Sequence, residues 1–481
     1  MADTSRTVSH YGTLERKFSQ SLERDPLSNP SSKHETSSTK YTREQKLILF
    51  SISLANFCSF ASFSILAPFF PGEASDMGAS DTMIGFIFGW FALVMFVSSP
   101  IFGKFLPHIG AKFVYVAGEG VCGACSIIFG FLNKLDKGTE FVVYCFLVRG
   151  VQALGAAASA TASYAIIAKF FPDNVSTVFG LSEIFTGLGY MIGPPLGGVL
   201  YQTGGYTLPF VLLGGITLLA CFCIACTLPH ETGNSSQESG SILRLLLMPA
   251  TWLTLLCVLT QSIAFSFLDP TLANHLEQFN LNTTEVGFMF LIYSATYTLS
   301  AYFWGWLADK KDICKLLMII GNIGCGAAFL YIGPCPLFNI EQNLPVVVFS
   351  LAFFGLSCGC AFIPSFQDLI STAIWYGMPD DLMTYGVVSG VYSGLFSLGS
   401  FIGPTAGAAL VEKHGFDWTT SVFSSMYFGL AFLFVVACLF EYRCGRGRAQ
   451  SIQTPKEDEN INVFEEDREA IESIFKADRV I

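Results

Sequence analysis

Two hydrophobic runs about 210 residues apart carry the same small-residue signature. The first holds Gly189, Gly193, Pro194, Pro195 and Gly197; the second holds Gly399, Gly403, Pro404 and Gly407. Lipid gives helices no hydrophobic reason to associate, so membrane helices pack through small residues that let backbones approach. Proline next to such glycines bends the helix. A duplicated signature implies a duplicated bundle, the pattern of secondary transporters.

Composition agrees. The 481 residues are 52% hydrophobic and only 13% charged, a balance outside the range of soluble domains. Twelve apolar stretches stand out, near 47–71, 83–103, 111–132, 140–168, 176–201, 206–228, 249–273, 284–307, 313–335, 345–371, 383–411 and 418–442. Each is about 20 residues or more, enough to cross roughly 30 Å of hydrocarbon. The expected fold is an all-α membrane protein with twelve transmembrane helices in two pseudo-symmetric six-helix halves, 46–228 and 249–442. A polar, Ser/Thr-rich tail over 1–45 reads as disordered, 229–248 as a linker between the halves, and 443–481 as a charged tail with a weak amphipathic stretch at Val463–Phe475. The N-tail lacks a basic n-region followed by an h-region, so no cleaved signal peptide is expected.

An even helix count puts both termini on one side. Of the 26 Lys and Arg, 22 then fall on that side and Lys134, Lys137 and Lys413 on the other, with Arg149 inside a helix. This asymmetry predicts cytosolic termini. The opposite side carries acids such as Glu73, Asp76, Asp81, Glu277 and Glu285, which either attract cations or keep short loops soluble. The sequon Asn282-Thr-Thr falls on that lumenal side and is the expected glycosylation site, whereas those at Asn174 and Asn234 fall on the cytosolic side.

Several classes are excluded. Nearly all of the 15 cysteines lie in apolar runs, where thiols act as small packing residues, and Cys122-x-x-Cys125 has no redox fold around it. Cys444, beside Arg443 and Arg446, is an unspecific candidate for palmitoylation. The six histidines show no ligand spacing, so no metal or cofactor is expected. No P-loop or nucleophile elbow is present, which argues against a pump or an enzyme. Nothing suggests nucleic-acid binding, and a monomer in the lipid bilayer is the expected state.

Three further motifs resemble the major facilitator superfamily. Gly103 to Lys112, including Gly110, and Gly305 to Lys311 both look like its cytosolic G-x-L-x-D-R-x-G-R-K signature, offset by about 202 residues. The first copy has Pro107 and His108 for the acid and arginine; the second keeps Asp309 and Lys310. In the family this acid caps and pairs at the cytosolic face, so the resemblance implies a latch resting on the second half. Arg149, Gln152 and Gly155 resemble R-x-x-Q-x-x-G of helix four, and Gly193 and Pro194 match the antiporter motif of helix five.

Within that superfamily the chain resembles the vesicular amine transporters, through Met191 to Tyr201, Leu268-Asp269-Pro270, Ile402 to Gly407 and Gly415 to Trp418. Monoamine and acetylcholine members carry acids in helices one, ten and eleven; at the aligned positions stand Ser59, Gly359 and Ser393. The first lumenal loop is short, and Glu183 has no counterpart there. This pattern is similar to the vesicular polyamine transporter branch. The resemblance implies a proton-coupled antiporter that moves a polyamine-like cation from the cytosol into acidic secretory or synaptic vesicles. A plasma-membrane exporter of drugs or other organic cations and a non-transporting receptor on a transporter fold remain open.

Charges inside the spans are the candidate machinery, because each costs at least about 2.5–3.5 kcal/mol in hydrocarbon unless it meets a cavity or partner. They are Glu119, Arg149, Glu183, Asp269 and Asp368. Glu183 and Asp269 lie in different halves, so a site between the halves sees both; Glu183 could instead pair with Arg149, and Asp269 could be a helix-end residue in water. Glu119 could reach a neighbouring helix, and Asp368 is expected near water. Tyr293 and Tyr297 are one turn apart, with Trp304 further along; they either face an ammonium group or pack. Asn56, Ser59, Gln152, Gln261 and Ser393 add weak polar lining. Gly103, Gly110, Gly189, Gly193, Pro194, Gly305, Asp309, Gly403 and Pro404 are expected to serve conformational change.

Overall fold

Each apolar run becomes one long helix. The twelve are α1 Arg43–Ser64, α2 Asp81–Ile109, α3 Ala111–Phe129, α4 Thr139–Phe170, α5 Val175–Gly204, α6 Thr207–Thr227, α7 Pro249–Leu276, α8 Thr283–Lys311, α9 Cys314–Ile332, α10 Leu344–Trp375, α11 Leu382–His414 and α12 Phe416–Phe440. All are long and apolar enough to span a bilayer. The computed structural model describes residues 41–66, 68–229, 241–281, 283–336 and 342–440. Asn282, Cys444, Val463–Phe475 and almost all of both tails lie outside them.

Three boundaries differ from the sequence reading. Helix one stops at Ser64 rather than continuing to 71; Pro68 disfavours helical backbone before it, and a short helix, Phe70–Asp76, follows. The two signature segments are not loops. Gly103 to Ile109 is the end of α2 and Gly305 to Lys311 the end of α8. The reversals shrink to residues with positive φ, Gly110 (91°) and Asp312 (49°). The end of the linker is ordered: Ser241 caps Ile242–Leu246, and Arg244 donates to the Gly377 carbonyl at 2.6 Å.

The paired glycine signatures do the same work in each half. In the first half α5 lies on α1, and a Cβ at Gly193 or Gly197 would stand 2.8 or 2.7 Å from the carbonyl oxygens of Ala61 or Ile65. In the second half α11 lies on α7, and a Cβ at Gly403 would stand 3.0 Å from the Phe267 nitrogen; Gly399 and Gly407 meet Ser262 and Phe267. Ser64 donates to the Gly189 carbonyl at 3.4 Å and Ser266 to that of Gly399 at 3.2 Å, so the two crossings are pinned alike.

Between the halves, helices meet tightly at the face where α1 begins and α12 ends, here called the terminal face. There α2 crosses α11: a Cβ on Gly386 would lie 2.6 Å from the Gly103 oxygen, and one on Gly390 3.0 Å from the Gly103 Cα. The second crossing is α8 on α5, with Gly305 against Ser176 and Thr177.

Candidate functional site

One turn inward from that face the crossing is filled with rings. Tyr164 of α4 and Phe179 of α5 meet Phe366 of α10 and Tyr392 of α11, with centroids 5.2–5.9 Å apart. Phe179, Phe366 and Tyr392 are fully buried. The ring cluster fills the crossing between the halves on the terminal side.

Glu183 stands one turn beyond Phe179 on α5, buried, and accepts a hydrogen bond from the Tyr297 hydroxyl of α8 at 3.0 Å. One turn further along α8 toward the far face, Tyr293 donates to Asp269 of α7 at 3.1 Å. Residues four apart share a helix face, which is why both tyrosines point to the same space. Phe265, one turn before Asp269, packs edge-on against Tyr293 and Tyr297 at 5.2 and 5.9 Å. The other Asp269 oxygen accepts from Tyr190 of α5 at 3.3 Å. Tyr190 is 37% exposed, so the cover over Asp269 is looser than the buried ring cluster that plugs the terminal side. Among the described residues, hydroxyls are the partners of both carboxylates, and Asp269 is held between the halves rather than hanging free at a helix end.

Arg149 is not the partner of Glu183. It is 1% exposed, donates to its own helix neighbour Gln152 at 2.9 Å, and lies over the rings of Phe63, Phe91 and Phe129 at 5.5, 4.8 and 5.9 Å. Its Nε and Nη2 have no hydrogen-bond partner among the described residues. Gln152 is thus a ligand of Arg149 within the first half.

Other expected lining residues are spent on protein partners, most of them within one half. Asn56 donates to Ser182 at 2.7 Å, Ser59 to Glu119 at 2.7 Å, and Gln261 to Asn322 at 3.4 Å. Ser393 meets Ser99 across the halves at 3.4 Å. Trp304 is tied by its indole N–H to the Leu356 carbonyl at 3.0 Å. Asp368, expected near water, is buried and accepts from Thr254 at 2.6 Å. The helix runs on to Trp375, so Asp368 lies about two turns inside it.

At the terminal face Asp309 of α8 reaches the start of α5. One oxygen accepts from the Ser176 N–H at 3.1 Å, the other from the Thr177 N–H and hydroxyl at 2.6 and 2.5 Å. Its neighbour Lys310 lies over Trp306 at 4.5 Å. Sequence patterns flagged Glu183, Asp269, Tyr293 and Tyr297, but not Tyr190 or the ring cluster. The only available signal for Tyr190 was its place two turns from Glu183 on one helix.

Two carboxylates set among aromatic rings, with no cation against them among the described residues, suit an organic cation: rings attract ammonium groups by about 0.5–2 kcal/mol each. The protein comparisons concur with the fold. The model of the Major Facilitator Superfamily matches residues 52–374 and 254–479. The chain is 42% identical to the MFS-type transporter SLC18B1 of Mus musculus over 82% of its own length and 86% of the relative's, and 40% identical to that of Homo sapiens over 87% and 92%. The synaptic vesicular amine transporter of Homo sapiens is 25% identical over 77% and 68%. Among solved structures, the human organic anion transporter MFSD10 superposes with a TM-score of 0.67 at 17% identity, covering 82% of this chain and all of that one.

Proposed function

The chain belongs to the Major Facilitator Superfamily, a family of membrane transporters, and within it we propose a proton-coupled antiporter that loads a polyamine-like cation into acidic vesicles. The observation that carries this reading is the pair Glu183 and Asp269, one from each half, bonded to tyrosines one turn, about 6 Å, apart along α8. Two separated acids suit amines separated by a short alkyl chain better than one compact charge. Relatives named as vesicular amine and vesicular acetylcholine transporters support an organic cation and a vesicle membrane, and the basic-residue asymmetry supports a cytosolic terminal face.

The cycle follows from charge balance. With the terminal plug open, the cation enters from the cytosol and replaces tyrosine hydroxyls on the carboxylates. With the plug closed and Tyr190 displaced, protons from the acidic lumen take the same oxygens, and the cation leaves. The neutralised site then returns and releases its protons to the cytosol. Cation and proton compete for one negative site, which makes the protein an exchanger.

The test is uptake of labelled spermidine into acid-loaded proteoliposomes. Glu183→Gln keeps the Tyr297 contact but removes the charge, and gradient-driven uptake is expected to fall to background. Since Arg149 does not touch Glu183, adding Arg149→Gln should not restore it. Full uptake by Glu183→Gln, or rescue by the double change, would overturn this assignment.

A further inference from the structure

Glu119 sits in the first half, away from the cation site, and the second half contains its own control. The offset that relates Gly103 to Gly305 carries Ser59 onto Gln261, and one residue more carries Glu119 onto Asn322. The structure pairs them the same way. Ser59 of α1 donates to Glu119 of α3 at 2.7 Å; Gln261 of α7 donates to Asn322 of α9 at 3.4 Å. The residue before each acceptor is a glycine at a tight crossing. A Cβ at Gly118 would lie 2.6 Å from the Gly155 oxygen, and one at Gly321 2.7 Å from the Ser357 oxygen. Glu119 is 1% exposed and Asn322 not at all.

Both pairs therefore pin the first helix of a half to its third. In the second half two neutral amides suffice, and Asn322 also bonds the Met318 carbonyl at 2.7 Å. The pin needs no ionisable group, and an ionised one in a buried site costs free energy that an amide does not. What glutamate can do and asparagine cannot is bind and release a proton. Among the described residues the groups around it supply no cation: Cys58 from α1, Tyr115 and Cys122 from α3 and Cys221 from α6 are the titratable neighbours, and α4 brings Gly155 and the hydroxyl of Ser159, a second hydrogen-bond partner.

We propose that Glu119 is a proton-exchange site of the transport cycle, distinct from the organic-cation site and linked to it by α1. This rests on the proton-coupled reading above. The proton adds to a Glu119 oxygen and makes the neutral acid. Ser59 then turns from donor to acceptor, and loss of the proton on the other side restores the first arrangement with no other bond changed. The link is short. One turn before Ser59 on α1, Asn56 donates to Ser182 at 2.7 Å, and Ser182 adjoins Glu183. A shift of α1 at Glu119 is thereby felt at the helix that carries Glu183.

The experiment uses the full chain in liposomes, with Glu119→Gln. Without substrate, pH-titrated infrared spectra of the wild type should show a protonated-carboxyl band that Glu119→Gln lacks. Exchange of labelled against unlabelled spermidine, with no pH gradient, should stay within roughly twofold, while gradient-driven accumulation falls by about tenfold or more. An unchanged infrared titration would overturn the proposal, and so would loss of exchange, which would put Glu119 at the cation. The infrared result stands even if the wild type moves no spermidine, an outcome that defeats only the proposed substrate. If Glu119→Gln does not fold, Ser59→Ala keeps the acid and removes one of its two hydroxyl partners; the same band should titrate at a shifted midpoint, and an unmoved midpoint counts against the proposal.

Discussion

The two crossings at the terminal face use equivalent glycines, Gly103 and Gly305, but different chemistry at the helix starts. At α8 on α5, Gly305 brings backbones together and Asp309 caps the first amides of α5. The α5 N-cap residue, Asn174, makes no side-chain cap of its own. At α2 on α11, Gly103 meets Gly386 and Gly390, but Pro107 stands where the acid would be. There α11 caps itself: Asp381 accepts from the Met383 and Thr384 amides at 2.9 and 3.2 Å. Every helix start leaves unpaired N–H groups that need an acceptor. When the acceptor comes from the other half, the bond breaks each time the face opens; when it comes from the helix itself, opening leaves it intact. In the proposed cycle one latch is thus part of the conformational equilibrium, and the other is contact alone.

The shared part of the comparison predicts the largest effect. Gly305→Leu or Gly103→Leu places a side chain into backbone of the opposing helix, a clash costing at least about 1–3 kcal/mol against the closed face. Both should reduce transport to near background in protein that still reaches the membrane. Normal transport by either would show that its crossing does not close in the cycle.

Much of this was legible in the sequence, and the reasons are physical. Lipid forces twelve apolar runs, and close crossings force glycine, so helix number and the sites of Gly193 and Gly403 show in one dimension. Side-chain direction across a bundle does not. Arg149 and Glu183 invited an ion pair by charge alone, but the guanidinium turns to Phe63, Phe91 and Phe129. Tyr190 looked like one of 17 tyrosines until α5 and α7 placed it on Asp269. The likeness of Ser59–Glu119 to Gln261–Asn322 needed both the offset and the contacts, because a hydroxyl and a carboxylate in one half answer to two carboxamides in the other.

The next effect separates the latches. Asp309→Asn keeps the shape and weakens a charge-assisted cap worth about 1–2 kcal/mol, which moves the closed-to-open ratio roughly 5- to 30-fold. Amides of Ser176 and Thr177 should lose hydrogen-exchange protection, and the transport rate should change with them. Asp381→Ala costs a similar amount at α11, but equally in both states. Its first-turn amides should exchange faster with transport unaltered. Equal effects of the two changes on transport would erase the distinction.

The smallest effect comes from installing the missing acid. Pro107→Asp should not create a second latch, because the α11 amides it would reach are already taken by Asp381. It also returns an N–H to α2, and that N–H can satisfy the Gly103 carbonyl one turn earlier, so Pro107→Ala is the proper reference. Against Pro107→Ala, the aspartate should change transport less than about twofold, under roughly 0.5 kcal/mol. Combined with Asp381→Ala the α11 amides are free, and the same aspartate can cap them from across the interface as Asp309 does at α5. Protection of the Met383 and Thr384 amides should then return, and it should depend on the closed state. If Pro107→Asp alone slows opening as strongly as Asp309→Asn speeds it, the self-cap at Asp381 is not what makes the first crossing neutral.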